Sequence, residues 1–347
     1  MAHSIQRIPD REIFIEGKPY LYFGGTAYLG LQNYDPFKTL YLKNVSEYGM
    51  HYGASRKSNI KLNIYEQAEQ QLAEWVGSEG CLTMSSGYLA AQLTIQTLLE
   101  KGHPVIAAPH AHTALLMPGV EQTNNPQELV GLIDHKIEKN LCPALLFDTV
   151  DFSGNQFPNF EVLKRLPLDK IILIGDDSHG IGLVGDNGNG CYQMLKQLNP
   201  SNLLICCSLG KALGTQAGAV FGNKEIIEVL ENSAFYGGAS PASPAFIATL
   251  MGATEIYSER LEVLKSRYQL LKYELRNPSY FNHLDGHPTF EFQNKDLAHA
   301  LHQDGFIFTN FHYPDKNGPL VSRLVLSAYH TDEDIKKLAE SVNAHFN

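Results

Sequence analysis

The sequence predicts an α/β layered domain built on a mostly parallel sheet, followed by a smaller C-terminal α+β domain. Three observations predict it. Short, almost wholly apolar runs of strand length recur through the first two-thirds of the chain, as parallel strands covered on both faces require. Helical segments separate several of them, and that alternation marks a layered α/β domain. From about Ser243 the texture changes to one long amphipathic helix, then spaced strands and a final helix.

Residues 1–44 read as an N-terminal arm, with a short strand-like run, Glu12–Ile15, and a turn-rich stretch around Gly24-Gly25. Residues 45–240 form the large domain. Asn63 to Val76 has helical spacing, with Ile64, Ala68, Leu72 and Val76 on one face and Glu and Gln opposite. Cys81–Met84 is a short strand and Leu89–Leu99 a helix, followed by strands at Val105–Ala108, Ala144–Phe147, Ile171–Ile174 and Leu203–Cys206. Residues 241–347 form the small domain. It opens with a helix from Ala245 to about Arg276 and continues through strands Thr289–Phe292, Phe306–Thr309 and Arg323–Ser327. Thr331-Asp332-Glu333-Asp334 starts the last helix, with an N-cap hydroxyl and acids in the first turn.

Hydrophobic residues make up 44% and charged residues 18% of the 347, as in a globular protein with a full core. The formal charge of −10 and the lack of a basic stripe argue against a nucleic-acid partner, since phosphate backbones demand clustered Lys and Arg. A local anion pocket stays open to an acidic protein. No uncharged apolar run reaches the roughly 18 residues of a membrane span, and charges interrupt the N-terminus where a signal-peptide core would lie. Cys81, Cys142, Cys191, Cys206 and Cys207 are odd in number and lack C-x-x-C spacing, so no metal site is expected. They read as reduced thiols of a cytoplasmic protein.

The chemistry sits where strands end. Ile171-Ile172-Leu173-Ile174-Gly175-Asp176 runs into Asp177-Ser178-His179, and Leu203-Leu204-Ile205-Cys206-Cys207-Ser208 runs into Leu209-Gly210-Lys211. Strand ends at the carboxyl edge of such a sheet are where α/β folds bind ligands. A lysine and a carboxylate brought to one pocket by neighbouring strands are what pyridoxal 5′-phosphate (PLP) chemistry requires. The lysine amine forms a Schiff base with the aldehyde, and desolvation lowers its pKa so that it acts as nucleophile and base. The carboxylate keeps the pyridine nitrogen protonated, so the ring serves as an electron sink. Ser86-Gly87-Tyr88 opens a helix, where backbone N–H groups bind phosphate without basic residues. Ser208, three residues before Lys211, can reach the same phosphate, and His112 follows the Val105–Ala108 strand, where an imidazole can stack on the ring. Taken singly, each has an ordinary alternative: a surface lysine, a turn, an N-cap, a structural histidine. Their order along the chain, each at a strand end, is what carries weight.

These residues resemble those of fold-type I PLP enzymes, and most closely the α-oxoamine synthase family. The matching stretches are Tyr28-Leu29-Gly30-Leu31, Tyr52-Gly53-Ala54-Ser55-Arg56, Ser86-Gly87-Tyr88, His112, Asp176-Asp177-Ser178-His179, Ser208-Leu209-Gly210-Lys211-Ala212 and Ser322-Arg323-Leu324, closed by Ser327-Ala328-Tyr329-His330-Thr331. The resemblance implies the aspartate aminotransferase fold, with an α/β/α large domain, and a homodimer. It implies that Lys211 bonds to the cofactor, Asp176 faces the pyridine nitrogen, His179 bonds the phenolic oxygen and His112 stacks on the ring. Ser86, Gly87, Tyr88 and Ser208 would serve the phosphate region, and Arg323 the amino-acid α-carboxylate, where a planar guanidinium forms two parallel bonds. The sequence departs from the family at Ala27, at Asp177 and Ser178, at Gly188-Asn189-Gly190, at Val325 and at Phe152-Ser153-Gly154, and it is shorter than typical members. The departures fall around the substrate regions.

The activity implied is condensation of an α-amino acid with an acyl-CoA, with PLP-dependent transamination as the alternative. A nucleotide-binding dehydrogenase is a poorer reading, because the glycine run Gly185 to Gly190 lies well after its strand rather than at the first strand-to-helix turn. A PLP-binding protein without catalysis, acting as a regulator, is disfavoured by Lys211 itself.

Overall fold

Strand Ile172–Asp176 is buried along its whole length, and so is most of Asn202–Ser208, which is why both are apolar rather than alternating. The computed structural model describes residues 3–152, 156–313 and 316–346; Ser153 and Gly154 lie outside them. Two compact units result, one of residues 39–254 and one joining residues 1–38 to 255–347.

The first unit carries a seven-stranded sheet in the order Gly80–Met84, Gly218–Gly222, Asn202–Ser208, Ile172–Asp176, Ala144–Asp148, Val105–Ala107 and Val120–Gln122. All pairings are parallel except the two made by Gly218–Gly222. The parallel strands therefore deliver Met84, Ala107, Asp148, Asp176 and Ser208 to one edge. Helix Gly87–Glu100 packs on the sheet through Ala90, Ala91, Leu93, Ile95 and Leu98, which join Leu146, Ile174, Leu204 and Val220 in one core. Each fully buried Leu or Ile there contributes about 2 kcal/mol. Helix Asn63–Val76 buries the face its spacing predicts, adding Tyr65 and Ala73, and ends on Gly77 in the left-handed region, φ 78°.

The second unit holds a six-stranded sheet in the order Glu12–Ile15, Lys18–Phe23, Phe306–His312, Leu320–Val325, Thr289–Glu291 and Asn282–His283. Lys18–Phe23 pairs parallel with Phe306–His312, Leu21 opposite Phe306. The segment read as an arm thus supplies two strands to the sheet of the C-terminal part. Buried His330 stacks on Phe23 at 4.0 Å between ring centroids, accepts the Ser327 N–H and donates to the Tyr22 carbonyl. Thr331 and Asp334 form a reciprocal capping box at the last helix, Asp332–His345.

The single helix expected from Ala245 to Arg276 is two, Pro244–Gly252 and Thr254–Glu274, broken at Ala253. Gly252, a poor helix former, ends the first. Among the described residues no helix is long and apolar enough to cross a membrane, no His/Cys/Asp/Glu group could hold a metal ion, and the five cysteines are free thiols.

Candidate active site

The carboxyl edge of the seven-stranded sheet collects most of the residues singled out by sequence. Asp176 is the last residue of its strand, and Oδ1 accepts the Ser178 N–H at 2.9 Å, the tight turn that sends the chain back over the strand end. Asp177 points the other way. Its Oδ1 accepts from the Thr149 hydroxyl, and Oδ2 accepts the Cys191 N–H at 3.0 Å. Burial pushes the Asp177 carboxyl up to about 6 against the help of those bonds. A Cβ on Gly180 or Gly190 would sit 2.0 or 2.1 Å from its oxygens, so both glycines are needed for the loop to wrap this acid. That loop holds His179.

Lys211 Nζ lies 3.0 Å from His179 Nε2, and this is its one hydrogen bond among the described residues. Burial lowers the pKa of the amine, opposed by the carboxylates of Asp176 and then Asp148. Asp176 and Lys211 are thus electrostatic neighbours, as their strand ends require. The His179 ring stands edge-on to Phe152, centroids 5.1 Å apart. His112 accepts the Ala114 N–H on Nδ1 at 3.1 Å, which leaves the proton on Nε2, and burial lowers its pKa.

Ser86 is the N-cap of helix Gly87–Glu100, its hydroxyl accepting the Leu89 N–H at 3.2 Å. Gly87 is closed in by backbone. A Cβ there would stand 2.6 Å from Ser208 N and 2.7 Å from Ser208 Cα. Ser208 donates its N–H to Ser178 Oγ at 2.8 Å, and its hydroxyl accepts the Gly210 N–H at 3.3 Å, shaping the turn that carries Lys211. Ser178, a departure from the family pattern, thereby links the Asp176 turn to the Lys211 turn. Tyr88 projects outward, 54% exposed.

Arg323 belongs to the other unit, on strand Leu320–Val325, where Nε donates to Glu291 Oε2 at 2.7 Å across the register pair Glu291 and Arg323. Sequence reading gave the arginine and missed its carboxylate. It also missed Asp148, which ends strand Ala144–Asp148 in register with Asp176 and accepts the His112 N–H on Oδ2 at 2.8 Å. The signal for Asp148 was present: it is an acid closing an apolar strand, the same pattern that marked Asp176.

The residues fit a pyridoxal phosphate. A half-buried amine of lowered pKa is hydrogen-bonded to an imidazole, the Asp176 carboxylate lies near enough to act on it electrostatically, and a helix N-terminus closes against the same strand end with no room for a side chain.

A family model described as aminotransferase class I and II matches residues 157–342. The 8-amino-7-oxononanoate synthase of Aliivibrio fischeri strain ES114 is 28% identical over 354 residues, spanning 95% of this chain and 90% of that protein. The protein of the same name from Petrotoga mobilis is 25% identical over 347 residues, 93% of this chain and 87% of that one. Among solved structures, the Sphingomonas wittichii serine palmitoyltransferase superposes with a TM-score of 0.82 at 18% identity, over 99% of this chain and 92% of that one. The 8-amino-7-oxononanoate synthase of Francisella tularensis gives 0.71 at 20% identity, over 94% and 98%. At such identities the structural likeness speaks for the fold.

Proposed function

Because the chain belongs to the aminotransferase class I and II family, we propose that it is a PLP-dependent transferase that condenses an α-amino acid with an acyl-CoA. The observation that carries the reading is the Lys211 amine, held against His179 Nε2 at 3.0 Å with its pKa lowered by burial. The similarity to proteins named 8-amino-7-oxononanoate synthase, extending over almost the whole chain, favours acyl transfer over transamination.

When bound, PLP supplies an aldehyde that links to amines and a protonated ring that draws electrons from the substrate's α-carbon. Lys211 would hold the cofactor through Nζ, and the same Nζ, of lowered pKa, would serve as the base for the α-proton. Asp176 keeps the pyridine nitrogen protonated. His179 serves the phenolic oxygen and His112 the ring face, while Ser86, Gly87, Tyr88 and Ser208 serve the phosphate through the helix N-terminus. Arg323 is assigned to the α-carboxylate, a role that requires it to share or exchange Glu291. In this reading residues 45–240 bind the cofactor, residues 241–347 form the smaller domain, and the protein works as a cytoplasmic homodimer. Five free thiols suit a reducing compartment.

The test is direct. Purified protein given PLP should gain visible absorbance, and borohydride should fix the cofactor to Lys211; Lys211→Ala should do neither. A panel of amino acids with acyl-CoAs should release CoA. Failure of that panel, together with conversion of the cofactor to its amine form by an amino acid alone, would replace condensation by transamination.

A further inference from the structure

Asp148 and Asp176 are register partners on adjacent parallel strands. Their Cα atoms are one strand spacing apart, about 4.8 Å, and their side chains leave the same face of the sheet. Each already has one oxygen on a backbone N–H, Asp148 Oδ2 on His112 at 2.8 Å and Asp176 Oδ1 on Ser178 at 2.9 Å. The charged groups around Asp148 are few: Asp176, Asp151, Lys211 and, through its backbone, His112, whose ring burial keeps neutral. Among the described residues no arginine is paired with either acid. The nearby cation is Lys211, itself bonded to His179.

Asp176 is buried and Asp148 half-buried, and a carboxylate on a neighbouring register position opposes ionisation of Asp148. We propose that Asp148 is a working residue of this site, holding the one proton of the aspartate pair and presenting it beside Lys211. Each acid has one backbone N–H donor, and Asp148 meets a further acid at Asp151 besides Asp176. Burial and Asp176 together push the Asp148 carboxyl up to about 8. Both aspartates, when ionised, raise the pKa of Lys211. A neutral Asp148 therefore removes one of the two charges that would hold the proton on Nζ, and leaves the amine closer to its nucleophilic form. Oδ2 is occupied by the His112 N–H, so the proton lies on Oδ1 as a hydrogen-bond donor within the site.

The use of this proton in turnover rests on the cofactor reading above, but the protonation itself does not. It is tested in the cofactor-free protein, with aspartate side-chain carboxyls labelled with carbon-13 and titrated by NMR. One signal, missing from Asp148→Asn, should titrate near pH 8, and in Asp176→Asn it should move down by at least one pH unit. A signal for Asp148 that titrates below about 5, or one indifferent to Asp176→Asn, overturns the inference. Reductive methylation of Lys211 gives a second readout: at pH 9 the amine should methylate at least threefold faster in Asp148→Asn than in wild type, where ionised Asp148 holds its proton. Equal rates overturn the tuning of Lys211. Absorbance on adding PLP is scored separately, so a failed cofactor reading appears as colourless protein and a failed Asp148 reading as an ordinary titration.

Discussion

Replacing Gly87 by alanine should weaken both the fold and cofactor uptake, because three backbone segments meet at this residue. The added Cβ would lie 2.6 Å from Ser208 N, 2.7 Å from Ser208 Cα and 2.9 Å from the Cys207 carbonyl carbon. Ordinary contact begins near 3.4 Å, so helix Gly87–Glu100 and the end of strand Asn202–Ser208 must part by about 0.8 Å. None of the atoms is the tip of a flexible side chain. Ser208 is tied to Ser178 Oγ and lies in register with Gly218, where a Cβ would in turn come within 2.2 Å of the Ser86 carbonyl oxygen. Overpacking against rigid neighbours costs about 1–3 kcal/mol, and backbone on every side points to the upper end. The same displacement moves the helix N-terminus from the position proposed above for the phosphate. A loss of about 1.4 kcal/mol there is tenfold in affinity, and at least that is expected. Urea denaturation of the cofactor-free protein reads the first effect, and a visible-absorbance titration with PLP reads the second. Gly87→Ala with the wild-type midpoint and the wild-type cofactor affinity would refute the reasoning.

Gly131 is the natural contrast, lying inside helix Pro126–Glu138 with nothing within 4 Å of an added Cβ. Gly131→Ala should stabilise by about 0.5–1 kcal/mol in the same denaturation assay, and a loss would contradict the open space. Glu69 takes both Arg56 guanidinium nitrogens at 2.9 Å and the Thr83 N–H at 2.8 Å, while the Arg56 guanidinium lies 4.2 Å above the Tyr65 ring. Glu69→Ala leaves that largely covered cation with the Thr83 hydroxyl and the Tyr65 ring and should cost about 3 kcal/mol in urea unfolding; a cost under about 1 kcal/mol would mean the pair is solvated. Burial pushes the His330 imidazole down to about 4, against about 6.5 in the unfolded chain. Between those values the unfolded state binds the extra proton, so this stabilisation is complete above about pH 6.5 and falls by about 3 kcal/mol as pH drops towards 4. Unfolding free energies measured from pH 7 to 4 should be flatter in His330→Asn than in wild type, and equal slopes would remove His330 as the cause.

Legibility in the sequence followed burial. Strands enclosed on both faces, such as Ile172–Asp176, announce themselves as apolar runs, and the residues that end them were read correctly as one edge of a sheet. Strand Gly218–Gly222 was missed because two of its five residues are glycine, a composition that reads as a loop, though all five are buried. Lys18–Phe23 was missed for another reason: five of its six residues are exposed or only partly covered, and its parallel partner strand begins at Phe306. No local pattern records a pairing of that range. At the site, Lys211, Asp176 and His179 were legible because each follows an apolar run within a few residues. The Glu291 partner of Arg323 and the Ser178 bond to Ser208 were not, since both depend on which strands lie side by side.

The parallel pairing of Lys18–Phe23 with Phe306–His312 also fixes an order of assembly. A ribosome delivers Leu21 about 285 residues before Phe306, its register partner. The stretch from 39 to 254 can meanwhile close its own sheet from residues already made, while the first hairpin waits with one edge unfilled. Chains cut before Phe23 would leave Phe306–His312 as a bare edge, a template for pairing between molecules. Loss of the first hairpin should therefore show as aggregation once Phe306–His312 has been made.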